Sequence, residues 1–397
     1  MTGREIWPRV PIRELYEGLY DGPHATPPPA SDGPVFLGIG NITAEGHLDL
    51  TNIRHIDEGQ FPRWTRRVEP RAADIVFTYE ATLNRYAMIP EGFRGCLGRR
   101  LALIRPDPIK VDPQFLFYSF FAPDWRATIA ENTLSGSTVD RIPLTRFPTF
   151  EVSLPPPPVQ RRIVGVLAAY DRLIDINVRR ATLLEEMARS LYHQWLMERR
   201  PPAPSQIGEA AETRGARSAH WTSGALRDVV RLEYGRALPA SARRAGQFPV
   251  FGSSGVVGLN AEALIKGPGV IVGRKGNVGT VYWSPTDFYP IDTVFWARSS
   301  LPSEYVYHLL KSIEFVSGDT AVPGLSRDYA HSVPVFIPDS DAVHQFVRVV
   351  GPMMRLSHLL GQTSAALAKT RDLVLPLLMT GAIEVGDPTL MEPIRRQ

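Results

Sequence analysis

A glycine-rich turn in the second half of the chain carries side chains that could bind a nucleic acid. The segment Arg274-Lys275-Gly276-Asn277 follows an apolar run typical of a buried strand. Arginine and lysine can bind phosphate oxygens, arginine can also pair with guanine, and asparagine with adenine. Glycine in such a turn lets the backbone approach a duplex closely. Arg274, Lys275 and Asn277 are therefore candidate DNA contacts, and the alternative is a solvated hairpin turn.

The first half of the chain contains a weaker counterpart of this turn. Residues 78–85 also follow an apolar run, and Tyr79, Asn84 and Arg85 are their candidate DNA contacts. Three pairs of arginines are further candidates for binding phosphates, with an affinity that would depend on salt. They are Arg66 with Arg67, Arg99 with Arg100, and Arg243 with Arg244. Each could equally be a solvated surface charge.

The sequence predicts no catalytic residue and no metal site. Residues 36–40 have the F-x-G-x-G spelling found in S-adenosylmethionine sites, but the Asn-Pro-Pro-Tyr-type motif of DNA methyltransferases is missing. Residues 273–280 lack the lysine of a nucleotide-binding P-loop. The nine histidines include no HExxH motif, and the single cysteine, Cys96, cannot form a cysteine-based zinc site.

Composition and charge are those of a globular protein with more than one domain. The 397 residues are 44% hydrophobic and 21% charged, with a formal net charge of +3. A mildly basic chain is compatible with nucleic-acid binding, although an ordinary soluble protein would explain this charge equally well. The sequence has no apolar run of about 18 residues and no apolar signal core at its start. We expect a cytoplasmic protein, most simply a bacterial one.

Four short segments recur in the same order in both halves of the chain. Residues 7–15 resemble 221–229, residues 73–77 resemble 268–272, residues 114–118 resemble 303–307, and residues 150–155 resemble 333–338. The offset falls from 214 (221 − 7) to 183 (338 − 155), as expected for duplicates whose loops differ in length. A period of about 190 residues is too long for a solenoid repeat, so it predicts two copies of a mixed α/β globular unit.

The repeat and the turn residues together predict the domain boundaries. The predicted parts are two globular domains (residues 1–155 and 221–340), two long helices (156–198 and 341–381), a polar linker rich in Pro, Ala and Gly (199–220), and a tail (382–397).

Apolar residues in the first long helix recur at alternating steps of four and three. This spacing keeps one face of the helix towards a partner helix, as in a coiled coil. The predicted seam is Ile163, Leu167, Tyr170, Ile174, Asn177, Ala181, Leu184, Ala188, Leu191 and Trp195. Asn177 is the one polar member, and a single asparagine in a seam fixes the register at some cost in stability.

The second long helix repeats the same pattern with more polar members. Its predicted seam is Phe346, Val350, Met353, Ser357, Leu360, Ser364, Leu367, Arg371, Val374 and Leu378. Pro376 should disturb the last turns of this helix. Each helix could simply cover its own globular unit. The length and strict period of the first helix favour instead an antiparallel pair that holds the two units a fixed distance apart.

This organisation resembles that of the specificity subunits of type I restriction–modification systems. Those proteins have two variable α/β target-recognition domains, each followed by a long helix. The resemblance covers roughly residues 7–381, although Pro338-Asp339-Ser340-Asp341 replaces the family's proline run in the second copy. The similar segments are 135–138, 150–157 and 160–163 at the passage into the first helix, 183–195 at its end, and the strand and turn 271–279.

The resemblance implies a mixed α+β fold with two similar α/β DNA-recognition domains, separated by two long helices that form an antiparallel coiled coil. Each domain would read one half of a split target in double-stranded DNA, and the helices would set the spacing at about one helical turn. Two modification (methyltransferase) subunits would dock on the helices, and a restriction (translocase and nuclease) subunit could join them. S-adenosylmethionine, ATP and Mg would be bound by those partners and not by this chain.

Two other functions stay open at this point. The chain could be a helical scaffold or interaction protein whose globular units have no DNA specificity. It could also be an S-adenosylmethionine-dependent DNA methyltransferase, which would require a catalytic motif and a further domain.

Overall fold

The computed structural model describes residues 7–135, 139–197, 222–316, 324–383 and 385. The predicted linker 199–220, Trp221, residues 136–138 and most of the predicted tail lie outside the described residues. Contacts divide the chain into two units, Met1–Ile174 with Ala365–Gln397, and Asp175–Ser364. Each unit therefore contains one part of each long helix.

In its described part, the first unit has nine strands in three sheets. They are β1 (Arg9–Pro11), β2 (Tyr16–Asp21), β3 (Ala30–Leu37), β4 (Arg54–His55), β5 (Ile75–Thr78), β6 (Tyr86–Met88), β7 (Gly95–Leu97), β8 (Leu101–Pro106) and β9 (Glu151–Ser153). The four-stranded sheet has the order β2-β8-β5-β6, the three-stranded sheet has the order β4-β3-β7, and β1 pairs with β9. The helices are α1 (Phe61–Trp64), α2 (Pro113–Ser119), α3 (Pro123–Asn132) and the long α4 (Pro157–Tyr192), whose first half belongs to this unit.

The second unit also has nine strands among the residues described. They are β10 (Thr222–Ala225), β11 (Arg231–Tyr234), β12 (Phe248–Gly252), β13 (Gly255–Asn260), β14 (Gly269–Gly273), β15 (Val281–Ser284), β16 (Tyr289–Pro290), β17 (Val294–Arg298) and β18 (Pro334–Ile337). Its sheets have the orders β11-β17-β14-β15, β13-β12-β16 and β10-β18. Its helices are α5 (Ser303–Lys311), α6 (Arg327–Ser332) and the first part of the long α7 (Ser340–Met379).

The two units have the same topology, strand for strand. Each four-stranded sheet is antiparallel, and each three-stranded sheet contains one parallel pair, β3 with β7 and β12 with β16. A short 3-10 turn follows the first strand of each unit, at Ile12–Glu14 and Leu226–Asp228. The prediction of two similar α/β domains is therefore confirmed.

Loop length explains why the offset between the repeats shrinks. Residues 38–53 connect β3 to β4 in the first unit, whereas only Ser253 and Ser254 connect β12 to β13 in the second. The second copy is therefore shorter in the part that precedes β14, and every later match falls at a smaller offset.

The core of each unit includes its own part of the long helices. In the first unit Ile163 and Leu167 of α4 cluster with Leu378 of α7 and with the four-stranded sheet. In the second unit Tyr192 of α4 and Phe346 of α7 belong to the cluster that includes the four-stranded sheet. Each core thus contains the start of its own long helix and the end of the other one, so the interpretation in which each helix simply covers its own unit does not hold.

Both long helices tolerate proline, for different reasons. Helix α4 begins at Pro157, in the first turn, where the missing N–H has no intrahelical acceptor. Helix α7 contains Pro352 and continues through Pro376 to Met379. The expected disturbance by Pro376 therefore does not end the helix. The carbonyl that loses its partner belongs to Asp372, which is exposed, so water can satisfy it.

All ten predicted seam positions in each long helix are buried or half-buried. The middle of α4 shows this pattern most clearly. Between residues 172 and 187 every side chain is exposed except Ile174, Asn177, Ala181 and Leu184.

The two helices run antiparallel in one register. In the first unit the Arg371 guanidinium donates a hydrogen bond of 2.6 Å to the Asp171 carboxylate. In the second unit the Ser357 hydroxyl donates one of 3.1 Å to Glu185. Fourteen residues forward on α4 (185 − 171) correspond to fourteen back on α7 (371 − 357). The predicted antiparallel coiled coil is confirmed.

Candidate nucleic-acid interface

The glycine-rich turn of the second unit connects β14 to β15 and spans residues 274–280. Gly276 and Gly279 both have a φ of +76°, a left-handed conformation that favours glycine. The Gly273 N–H donates to the Thr280 carbonyl at 2.7 Å, and the Gly279 N–H donates to the Gly273 carbonyl at 2.9 Å. These bonds close the turn and fix the backbone that carries the candidate DNA contacts.

The three candidate side chains of this turn have different surroundings. Lys275 and Asn277 are exposed, whereas Arg274 is half-buried. The Arg274 guanidinium lies 4.9 Å from the centre of the Tyr234 ring, and its Nη1 donates to the Asp292 carbonyl at 3.1 Å. Arg274 is therefore held in place by its own unit, while Lys275 and Asn277 project from the turn.

The corresponding turn of the first unit, residues 79–85, has the same backbone conformation. Its third and sixth residues, Ala81 and Asn84, have φ angles of 71° and 59°. Gly276 and Gly279 are the third and sixth residues of the turn in the second unit. Left-handed conformations are uncommon outside glycine, so their presence at the same two positions indicates a common design.

Hydrogen bonds anchor the two turns in the same way. The Thr78 N–H donates to the Arg85 carbonyl at 3.0 Å and closes the first turn as Gly273 closes the second. The carbonyl of each turn's first residue accepts a bond of 2.8 Å, from Ile142 to Tyr79 in one unit and from Leu325 to Arg274 in the other. The two turns therefore share their closing bond, their anchoring bond and their two left-handed positions, while their side chains differ.

The candidate side chains of the first turn are engaged within their own unit. Tyr79 is only 7% exposed, its hydroxyl donates to the Arg99 carbonyl at 3.0 Å, and burial raises the pKa of its phenol. Asn84 accepts a hydrogen bond of 3.4 Å from the Tyr86 hydroxyl. Arg85 donates to the Ile42 carbonyl at 3.1 Å. Tyr79 supports this turn from the core and has little surface left for DNA.

The candidate arginines of the first unit fall into two groups. Arg67 pairs with the Asp21 carboxylate, and Arg100 lies 4.0 Å from that of Glu80. Arg66 and Arg99 are exposed and form no ion pair with the residues that the structure describes. Arg99 adjoins the turn through its bond with Tyr79, so it is the better placed of the two to meet a phosphate.

Arg243 and Arg244 lie in the segment before β12, and they contact β13 and not the turn. The Arg243 guanidinium donates to the Val257 carbonyl at 2.6 Å. Arg244 forms an exposed ion pair with Glu262. Both arginines therefore contact the edge strand of the three-stranded sheet.

Sequence reasoning missed two residues beside the second turn. Tyr234, at the end of β11, is 49% exposed and contacts Arg274. Arg327 begins α6, and its guanidinium lies 4.9 Å from the centre of the same ring. The sequence separates Tyr234, Arg274 and Arg327 widely, so only the tertiary structure brings them together.

The described residues offer no site for a metal ion or a reactive thiol. No group of three or more His, Cys, Asp or Glu side chains within them could hold a metal. Cys96 is buried, which raises the pKa of its thiol to about 12. The F-x-G-x-G segment is the end of β3 and the turn after it, where the Gly38 N–H donates to the Asn41 side chain at 2.8 Å. None of the described helices is both long and apolar enough to span a membrane.

Comparison with known proteins identifies relatives of the whole arrangement. Residues 68–186 match the family model of the type I restriction modification DNA specificity domain. This stretch contains the first turn, β5 to β9 and most of α4. The type I restriction enzyme MjaIX specificity subunit of Methanocaldococcus jannaschii is 20% identical over 368 residues, which are 84% of this chain and 83% of that protein.

A solved structure shares the fold over nearly the full length. The S subunit of the type I restriction–modification system from M. genitalium matches with a TM-score of 0.59 and 16% sequence identity, covering 95% of this chain and 97% of that one. These matches show that residues 68–186 are similar to the type I restriction modification DNA specificity domain, and that the chain as a whole shares its fold with the type I S subunit from M. genitalium.

Proposed function

We propose that this chain binds double-stranded DNA at a two-part target and gives a type I restriction–modification complex its sequence specificity. The observation that carries this proposal is the repetition of one α/β unit with one turn conformation. The two turns have different side chains at every position. For example, Arg274 is the equivalent of Tyr79, and Lys275 is the equivalent of Glu80. Because side chains read base edges, the two units would recognise different half-sites.

The paired helices would act as a ruler between the half-sites. Helices of 36 and 40 residues have lengths of roughly 54 and 60 Å at a rise of about 1.5 Å per residue. Successive half-sites on one side of DNA lie about 34 Å apart. A rod of this length is sufficient to carry two readers one helical turn apart.

Exposed apolar side chains on the long helices support docking of two modification subunits. In the first unit they are Leu173, Leu373 and Leu377, and in the second unit Leu183, Met187, Leu356 and Leu359. Each is the residue immediately before a seam position. Positions that precede the seam lie on the same side of an antiparallel pair, so each unit presents an apolar face that fits a partner helix.

Catalysis would belong to the partners of this chain. Modification subunits would bring S-adenosylmethionine and transfer the methyl group, and a restriction subunit would bring ATP, Mg and cleavage. The chain itself would bind no cofactor, and the assembled complex would work in the cytoplasm.

Selection from genomic DNA tests this function. The complex of this chain with its modification subunits is mixed with sheared genomic DNA, and the bound fragments are sequenced. We expect enrichment of one motif with two conserved parts and a fixed gap, and no enrichment by the modification subunits alone. Equal enrichment without this chain would support the helical scaffold instead, and methyl transfer by the chain alone would support the methyltransferase.

A further inference from the structure

Two arginines of the second unit share one tyrosine ring. Arg274 comes from the turn after β14, Arg327 from the start of α6, and each guanidinium carbon lies 4.9 Å from the centre of the Tyr234 ring. This distance is within the range of cation–π attraction. The ring is half exposed, so the cluster of Tyr234, Arg274 and Arg327 lies at the surface.

The two arginines of this cluster form no ion pair with the residues described. Neither guanidinium has a carboxylate within 4.0 Å in that part of the chain. Glu233 lines the same open pocket as Arg327 but forms no ion pair with it. Arg274 donates one of its five N–H groups to the Asp292 carbonyl, so most of its donors remain free. Like charges near one ring repel each other, and an anion bound at the cluster would offset this repulsion.

The equivalent place in the first unit is electrically different. Tyr234 pairs with Phe295, which also pairs with Val272 of the central strand. The same pairing identifies Asp21 as the equivalent of Tyr234 in the first unit. Asp21 pairs with Ala102, and Ala102 also pairs with Phe77 of β5. Asp21 is a carboxylate and neutralises Arg67. At this position the first unit thus has an ion pair, whereas the second has a tyrosine that contacts two arginines.

We infer that Tyr234, Arg274 and Arg327 bind a backbone phosphate of the DNA half-site read by the second unit. This inference rests on the function proposed above and assigns the cluster a positioning role. Phosphate contacts fix the register of a protein on the duplex, and base contacts then specify the sequence. With Arg274 on the phosphate, the exposed Lys275 and Asn277 are the side chains of this turn that reach the base edges. Tyr234 orients the two guanidinium groups and does not touch the bases.

The salt dependence of binding distinguishes a phosphate contact from a merely structural role. Each phosphate contact steepens the plot of log K against log salt concentration by about 0.9. We expect Arg327→Gln, in the complex with modification subunits, to reduce the slope by up to this amount, since Arg274 still contacts the same phosphate. The variant should also weaken binding to target and non-target duplexes by the same factor. Tyr234→Leu should reduce the slope as well, whereas Tyr234→Phe, which keeps the ring, should retain it.

Controls separate this inference from the proposed function. Arg348→Gln removes an exposed arginine of α7 in the same unit and should leave the slope unchanged. A wild-type slope for Arg327→Gln in a complex that still selects its target would overturn the phosphate site and spare the proposed function. A wild-type complex with no target preference would instead refute the function. Inorganic phosphate at constant ionic strength that raises the melting temperature, with no change in slope for Arg327→Gln, would assign the cluster to a free anion and overturn the DNA contact.

Discussion

At the residue scale, one backbone frame carries side chains of opposite character. Glu80 and Lys275 are both second residues of their turns, and both form an isolated bridge to the segment that anchors the turn. An acidic residue favours cytosine amino groups, and a basic residue favours guanine or phosphate. The difference between the two readers therefore lies in a few side chains and not in their fold.

His308 of α5 gives a pH-dependent prediction. It is 5% exposed, and it packs against Tyr192 and Phe346 of the long helices. Its Nε2 has no hydrogen-bond partner in the described part of the chain. Burial is the main cause that lowers its pKa to about 4, and the facing groups Lys311 and His193 lower it further. The folded state thus favours the neutral imidazole. This stabilisation is complete above pH 6.5 and is lost as the pH falls from there towards 4.

The measurement is the free energy of unfolding of the wild type and of His308→Phe at several pH values. The wild type should lose about 3 kcal/mol more than the variant between pH 6.5 and 4, because a pKa unit corresponds to about 1.4 kcal/mol. Parallel curves for the two proteins would show that His308 is accessible to protons in the folded state.

The sequence could predict the exposed turn but not the neighbours of its side chains. Gly276 and Gly279 reveal a turn, and Lys275 and Asn277 within it are polar and exposed. Tyr79 follows a buried strand, and nothing in its local sequence distinguishes a surface tyrosine from one whose ring enters the core. Arg274 and Arg327 are far apart in sequence, so their common contact with Tyr234 depends on tertiary structure.

At the scale of elements, polar residues of the seam fix how the helices pair. Arg371 was a polar exception to the apolar pattern of α7, and the structure pairs it with Asp171 of α4. Asp171 also accepts a hydrogen bond of 2.6 Å from the Tyr118 hydroxyl of α2. The pair links both long helices and the globular part of the first unit.

Removal of Arg371 should destabilise the protein strongly. Arg371→Met leaves the half-buried Asp171 without its cation, at a cost of about 3 kcal/mol. The matched control is Arg179→Met on α4, which breaks the exposed pair with Asp175 and should cost about 0.5 kcal/mol. Chemical denaturation measures both costs. Equal effects of the two substitutions on the free energy of unfolding would contradict a structural role for the Arg371–Asp171 ion pair.

Two serines one heptad apart on α7 offer a second test of the seam. Ser357 donates to Glu185, whereas the buried Ser364 hydroxyl has no hydrogen-bond partner among the described residues. An unpaired buried hydroxyl costs about 1 kcal/mol or more, so Ser364→Ala should raise the free energy of unfolding by roughly that amount. Ser357→Ala should lower it by about 1 kcal/mol. Destabilisation by both substitutions would indicate that the Ser364 hydroxyl does have a hydrogen-bond partner.

The alternation of four and three residues was sufficient to predict the pairing of the helices, because it keeps a seam in line over many turns. The effect of Pro376 could not be derived from that pattern. Proline removes one backbone donor, and its consequence depends on whether the freed carbonyl is exposed, which only the structure shows.

At the scale of the whole molecule, duplication is the organising fact. Four weak sequence matches in order predicted it, and identical strand orders confirm it. The matches are weak because loops such as residues 38–53 have no counterpart of equal length in the second unit. Sequence similarity survives in strands and turns, where packing and backbone conformation restrict the residues that fit.

The most direct test of two separate readers is a map of methylated sites in cells. We expect a split motif with a fixed gap in cells that contain this chain, and its loss when the gene is deleted. In cells with the variant Lys275→Ala and Asn277→Ala, one half of the motif should become degenerate while the other half and the gap stay as they were. A contiguous motif, or equal loss of both halves, would contradict the account.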